Sequence, residues 1–217
     1  MGSAGLAAIT ANHSGLGFYR AKSGAQGSLN AIGSVVITSP SSPAQILMAN
    51  PFNTADNTVR GLLFNVPEGS GLKKWDEATQ SYRTNLFSLG HWSDETMTLR
   101  PGEGIFFSNS IAQPVSLCLT GEILQGDLSN SVPAGQSVRS SMVPLGGLIQ
   151  HTLGYIPDPG DIVYLYKSPG WESYNFDDID HWLLNGVTAE PVLELGEAVF
   201  INSQSNKFWR RRFFVWP

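Results

Sequence analysis

The stretch LRPGEGIFFSNS, residues 99–110, returns in outline as LELGEAVFINS, residues 193–203. Both write Leu-x-x-Gly-Glu, then a small residue, an apolar residue, Phe and another apolar residue. Pro101-Gly102 and Leu195-Gly196 read as bends, with glycine placed where φ can be positive. The apolar residues that follow read as a central strand entering the core. Glu103 and Glu197 then sit at the bend, where a carboxylate most simply accepts backbone N–H bonds from a neighbouring loop. A catalytic carboxylate is the lesser reading there.

Working outward from this pair, further landmarks recur in the same order. Gln45 meets Gln136 at an offset of 91, and Trp75 meets Tyr166 at 91. Tyr82 meets Tyr174 at 92, and His91-Trp92 meets His181-Trp182 at 90. Gly102-Glu103 meets Gly196-Glu197 at 94. A drift of a few residues is what loop insertions produce. Residues 33–124 and 125–217 therefore read as two copies of one β unit, with 1–32 a linker or the remnant of an upstream domain. The rival organisation is two independent sandwiches joined at 124–132.

Each copy reads as about five strands, with hairpins GLKKWD–EATQ–SYRTNLF and DIVYLYK–SPG–WESYNF. Each also holds one short helix candidate, NTVRGLLFNV and LGGLIQHTLGY. The expected class is mostly β, a sandwich or barrel-like unit with internal pseudo-symmetry. Composition agrees, because only 14% of the 217 residues are charged while there are 23 Gly and 13 Pro. Sparse charge and abundant turn formers favour short strands.

Several function classes are disfavoured at once. A net charge of −5 offers nucleic acid no basic field. The one cationic cluster, Arg210-Arg211-Arg212 in FWRRRFFVWP, reads as a terminal strand with Trp209, Arg211 and Phe213 alternating against Arg210, Arg212 and Phe214. No run of about 18 apolar residues is present, so no membrane helix is expected. The start, MGSAGLAAITANHSG, lacks the basic and long apolar regions of a signal peptide. The single cysteine, Cys118, excludes an internal disulfide and, within VSLCLT, reads as a buried inert thiol.

At LMANPF, LKKWD, LRPGEGIFF and LTGEILQGDLSNSVPAGQS the chain resembles a repeat module of secreted and surface proteins from several bacterial phyla. Those modules open on Pro-Ala-Gly-x-Ser-Leu-x-x-Asn-Pro, continue through Val-Tyr-x-Trp, and close on Leu-x-Pro-Gly-Glu-Gly-Phe-Phe-Val. The resemblance covers nearly everything after residue 33, although Leu195 and Ala198 depart from it. It implies a β-rich accessory role at the cell surface or outside the cell, and it brings no catalytic residue with it.

Among candidate sites, NFDDIDHW is the densest polar cluster. Asp177, Asp178 and Asp180 could surround a hard cation such as Ca²⁺, which takes six to eight oxygens. The first copy's NLFSLGHW lacks these aspartates, so the fold does not require them. His91 and His181 could share a transition metal if symmetry brought them together; their simpler role is to flank core tryptophans. Asp180 and His181 with a serine are the catalytic candidates, though no Gly-x-Ser-x-Gly elbow is present. His151 reads as a surface residue. Trp171, Tyr174 and Phe176 are expected on one face of the second hairpin, where flat rings could stack on sugars.

Two functions compete on these grounds. One is an extracellular accessory or ligand-binding module for polysaccharide or a small molecule. The other is a hydrolase of esters, lactones or glycans, with or without a divalent metal.

Overall fold

A computed structural model describes residues 5–9, 16–23, 26–177 and 179–215, with residues 5–9, 16–23 and 26–30 described by backbone alone. In chain order the strands begin with β1 (Gly5–Ile9), β2 (Leu16–Ser23), β3 (Gln26–Ser39) and β4 (Gln45–Ala49). One turn of helix, α1 (Val59–Leu62), precedes β5 (Gly71–Asp76), β6 (Ser81–Ser88), β7 (His91–Trp92), β8 (Gly104–Ser108) and β9 (Val115–Glu122). The second half holds β10 (Gly126–Val132), β11 (Gly135–Arg139), β12 (Gly147–Leu148), β13 (Ile162–Lys167), β14 (Gly170–Phe176), β15 (Trp182–Leu184), β16 (Val187–Thr188), β17 (Val192–Leu193), β18 (Val199–Ser203) and β19 (Lys207–Phe213). The protein is mostly β, as the turn-rich, charge-poor sequence leads one to expect.

Among the described residues the strands form five antiparallel sheets, and the two larger ones share an order. The first runs β4-β8-β5-β6-β7, and the second runs β11-β18-β13-β14-β15 with β16 added at its edge. Strands β3 and β9 pair in a sheet that β2 and β1 extend, while β10 pairs with β19. The remaining pair is β12 with β17. Within 1–32, the stretch taken as a linker or the remnant of an upstream domain, the described residues form β1, β2 and the start of β3, and β3 runs across residue 33 without a break.

The repeated motif explains how these sheets stack. Strand β8 carries Gly104, Ile105, Phe106 and Phe107, all buried, and β18 likewise buries Val199, Phe200 and Ile201. A near-continuous apolar strand must be covered on both faces. Ile105 and Phe107 enter a first core with Met48, Leu72, Trp92 and, from β3 and β9, Val35, Leu117 and Leu119. Val199 and Ile201 enter a second core with Val163, Tyr174, Trp182 and, from β10 and β19, Val132 and Trp209. The opposite faces meet in a third cluster of Leu47, Ala49, Phe106, Val138, Ala198 and Phe200. The larger sheets therefore pack on one another, each with a smaller sheet on its far side.

The turns before β8 and β18 tie this seam. Gly102 (φ 92°) and Gly196 (φ 81°) take the left-handed conformation expected of them. Glu103 Oε2 accepts the Arg100 N–H at 2.8 Å, and Glu197 Oε2 accepts the Glu194 N–H at 2.9 Å. The carbonyl of Gly102 then accepts the Ser140 N–H (2.9 Å), while that of Gly196 accepts the Ala49 N–H (2.8 Å). Each turn so receives a backbone bond from the other half of the chain. At Gly104 an added Cβ would stand 2.5 Å from Ala198 Cβ and 2.6 Å from Val138 Cγ1, so small residues set the approach of the sheets.

Three expectations are corrected. LGGLIQHTLGY forms turns rather than a helix, because Gly147 (φ 144°) and Gly154 (φ 81°) leave the helical region at both ends. Each half holds six strands of five residues or more, with two- and three-residue pairings such as β7, β12, β16 and β17 besides. Cys118 is exposed, since β9 alternates strictly: Leu117 and Leu119 turn to the core, and Ser116, Cys118 and Thr120 turn outward.

Candidate functional site

The face of each hairpin that turns toward the seam carries rings in paired positions. On β5–β6, Trp75 stands opposite Tyr82; on β13–β14, Tyr166 stands opposite Trp171. Partners across an antiparallel pair share a face, so each hairpin offers two rings near its turn. The neighbouring central strands add Phe106 and Phe200. Trp75 packs edge-on against Phe200 of the other half (centroids 5.1 Å apart), and Tyr166 packs the same way against Phe106 (5.3 Å). Trp171 bridges both, at 5.9 Å from Phe106 and 6.3 Å from Phe200. The Trp75 Nε1–H donates to the Gln136 carbonyl at 3.1 Å, which fixes that indole across the seam.

A cleft opens between these rings. It is open to solvent, has a volume of about 330 Å³, and is lined by Tyr82, Gln136, Tyr164, Trp171 and Phe200. Trp171 is 46% exposed and Tyr82 38% exposed, so two ring surfaces face solvent at its mouth. Burial raises the Tyr82 phenol above its ordinary value, and the hydroxyl stays neutral well past physiological pH. The lining joins apolar ring faces to the Gln136 amide and two phenol hydroxyls, and it holds no charged side chain. Chemically it can stack on a flat or sugar-like ring and offer it a few neutral hydrogen bonds.

The aromatic trio expected on one face is divided. Trp171 lines the cleft, whereas Tyr174 and Phe176 lie in the second core on the other side of the sheet. Phe176 packs on Trp182 at 5.0 Å, as Phe87 packs on Trp92 at 5.2 Å. Tyr174 donates to Glu172 Oε2 (3.0 Å), and burial followed by that carboxylate pushes its phenol up to about 12. The register also makes Trp171, not Tyr174, the counterpart of Tyr82. The first hairpin turns through Glu77–Gln80 and the second through Ser168-Pro169 alone, so the two shorten differently.

The acidic loop has a backbone role. Asp177 Oδ1 accepts the N–H groups of Ile179 (3.0 Å) and His181 (2.7 Å), and its Oδ2 lies 3.7 Å from His181 Nδ1. Asp180 is exposed at φ 72°, and Asp178 lies outside the described residues. Among the described residues no three His, Cys, Asp or Glu side chains are grouped to hold a metal ion. His91 on β7 and His181 just before β15 are exposed, while Trp92 and Trp182 beside them are buried, with indole N–H bonds to the Leu63 carbonyl (2.9 Å) and Gln150 Oε1 (3.0 Å). His151 lies at the surface against Glu190, whose Oε1 also accepts two backbone N–H groups.

One polar cluster escaped the sequence reading. Asp161, fully buried, accepts from the Tyr155 hydroxyl (2.7 Å), Lys207 Nζ (2.6 Å), the Asp158 N–H (3.0 Å) and the Gln204 N–H (2.7 Å). With the Ser203 hydroxyl at 3.4 Å, five donors on one carboxylate describe a structural clamp on the approach to β13. Its only sequence signal is the turn Asp158-Pro159-Gly160-Asp161. Gln136, Tyr164 and Phe200 were likewise not singled out for the cleft, though Phe200 belongs to the repeated motif itself.

Compared with protein-family models, with curated proteins and with solved structures, this chain has no match. No described helix is long and apolar enough to cross a membrane.

Proposed function

We propose that this protein is an accessory ligand-binding module that holds neutral polysaccharide in the aromatic cleft at the seam of its two larger sheets. The observation that carries this reading is the pair of solvent-facing rings, Trp171 and Tyr82, at the mouth of a cleft without charged lining. Sugar rings present apolar C–H faces between hydroxyl edges, and rings flanked by neutral hydrogen-bonding groups complement both. A place outside the cell or at its surface rests on the resemblance noted above. The reading also takes the two halves as copies of one unit, supported by the like order of their larger sheets and the reciprocal seam bonds.

The test is titration with neutral oligosaccharides, cellohexaose, xylohexaose and laminarihexaose, followed by intrinsic tryptophan fluorescence and calorimetry. At least one should bind. Trp171→Ala should weaken binding about tenfold or more, equivalent to ~1.4 kcal/mol or above. Its melting temperature should fall by only a few degrees, since nearly half of that ring is already exposed. Equal affinity of Trp171→Ala and wild type, or no binding of any of the three, would remove the cleft from consideration.

A further inference from the structure

Strand β19 presents a second surface, remote in character from the cleft. Its inward residues are Trp209 and Phe213, which pack in the cores, while Phe208, Arg210, Arg212 and Phe214 form one exposed row along the outer face. Arg210 lies over the Phe208 ring at 5.1 Å, and Arg212 lies over Phe214 at 5.4 Å. Across the ladder Arg210 faces Ser129 and Arg212 faces Asp127. Among the described residues the acid set against this row is that Asp127, 3.7 Å from Arg212, with side chains 85% and 74% exposed. An ion pair so solvated is worth little and gives way readily to another anion.

The charge distribution makes this row unusual. Lys207 is held by Asp158 and Asp161 and shares the inward side with Arg211, so the outer row carries two arginines against Asp127 on a chain whose formal charge is −5. Two solvent-facing cations in one row of an otherwise acidic chain are a local attractor for anions. Stacking on phenyl rings leaves the guanidinium edges open, and those edges match carboxylate and sulfate oxygens two at a time. The stacking also turns the two guanidinia in opposite directions along the strand. Same-face residues repeat every ~7 Å, so the two charges stand more than one such step apart.

We propose that the Phe208–Arg210–Arg212–Phe214 row binds an acidic glycan whose carboxylates or sulfates engage the two guanidinia while its sugar rings lie against the phenyl rings. Guanidinia backed by phenyl rings suit a polymer of anionic sugar rings, while the chain's net charge of −5 works against the dense phosphate charge of a nucleic acid. The surface is independent of the cleft, and either can fail without the other.

The experiment uses the full chain in affinity electrophoresis through gels holding polygalacturonate, dextran sulfate or uncharged dextran, with oligothymidylate titrated separately. Wild type should be retarded by polygalacturonate or dextran sulfate at low salt, progressively less as salt rises, and not by dextran; the two anionic gels distinguish carboxylate from sulfate. The double variant R210Q/R212Q should lose at least tenfold in apparent affinity, Asp127→Asn should gain a few fold, and Trp171→Ala should behave as wild type. Absence of retardation in both anionic gels, an unchanged R210Q/R212Q, or tighter binding of oligothymidylate than of either glycan overturns the proposal. If R210Q/R212Q melts early, Asp127→Asn decides: no gain in affinity then counts against it.

Discussion

Glu197 shows how much of a motif can be consumed by its own turn. Its carboxylate bonds the Glu194 N–H and Lys167 Nζ (2.6 Å), with only 14% of the side chain exposed. Removing it leaves a backbone donor beside the seam without a partner, and a hydrogen bond to a charged group contributes about 1.5–3 kcal/mol. Lys167 is partly exposed, which discounts its share. Glu197→Ala is therefore expected to lower unfolding free energy by about 2 kcal/mol in urea titration, with Glu197→Gln costing about half as much. The clamp around Asp161 predicts a pH profile. Lys207 and then Ser205 hold the Asp158 carboxyl below its ordinary 3.8, so that part of the stability is full above about pH 4 and lost as pH falls through the lowered value. Burial, and then Asp161, raise the Tyr155 phenol above its ordinary 10.0, so its part is full below pH 10 and lost as pH rises beyond. Melting temperature against pH should fall at both ends. Asp158→Asn should flatten the acid limb and Tyr155→Phe the alkaline one, and limbs unchanged by these substitutions would refute the assignment.

At the scale of elements, the central strands were the most legible part of the sequence. A Gly-Glu turn followed by unbroken apolar residues means burial on both faces, and β8 and β18 obey that rule. The same sequence did not say what would cover the second face. That depends on Gly104 meeting Ala198 and Val138, a contact between residues far apart in the chain and carried by the absence of side-chain atoms. Gly104→Ala should accordingly cost about 1–3 kcal/mol through overpacking, measurable as a lower urea midpoint at unchanged slope. A neutral result would mean that the sheets are not held at this distance by their smallest residues. Of the candidate site, Trp171 was legible as a ring of the second hairpin placed to stack on a sugar. Grouping it with Tyr174 missed that residues three apart on a strand face opposite ways. Cys118 was misread for a related reason, because VSLCLT looks apolar throughout while its alternation puts the thiol outside. The aspartates of NFDDIDHW stood out by density, yet Asp177 holds a loop closed, a role that composition does not distinguish from ligation.

At the scale of the whole molecule, the seam decides whether the halves are separate bodies. Leu47, Ala49, Phe106, Val138, Ala198 and Phe200 are buried only because one larger sheet lies on the other. Fully burying a large apolar side chain contributes roughly 1.5–3 kcal/mol, so the seam as a whole is worth on the order of 10 kcal/mol as an upper figure. A domain's entire net stability is about 5–15 kcal/mol. Separation would also break the reciprocal bonds Ser140 N–H to Gly102 and Ala49 N–H to Gly196, leave Trp75 without the Gln136 carbonyl, and take Phe213 from the first core against which it packs. Neither half on its own can offset these losses, since each would expose the apolar face of a central sheet to water. Residues 33–124 and 125–217 expressed separately are therefore expected to aggregate or to show no cooperative melt, whereas co-expressed halves should co-purify and recover one melting transition. A monomeric half that unfolds cooperatively by itself would establish two independent sandwiches instead. It would also dissolve the cleft, whose walls come from both halves: Tyr82 on one side, and Gln136, Tyr164, Trp171 and Phe200 on the other.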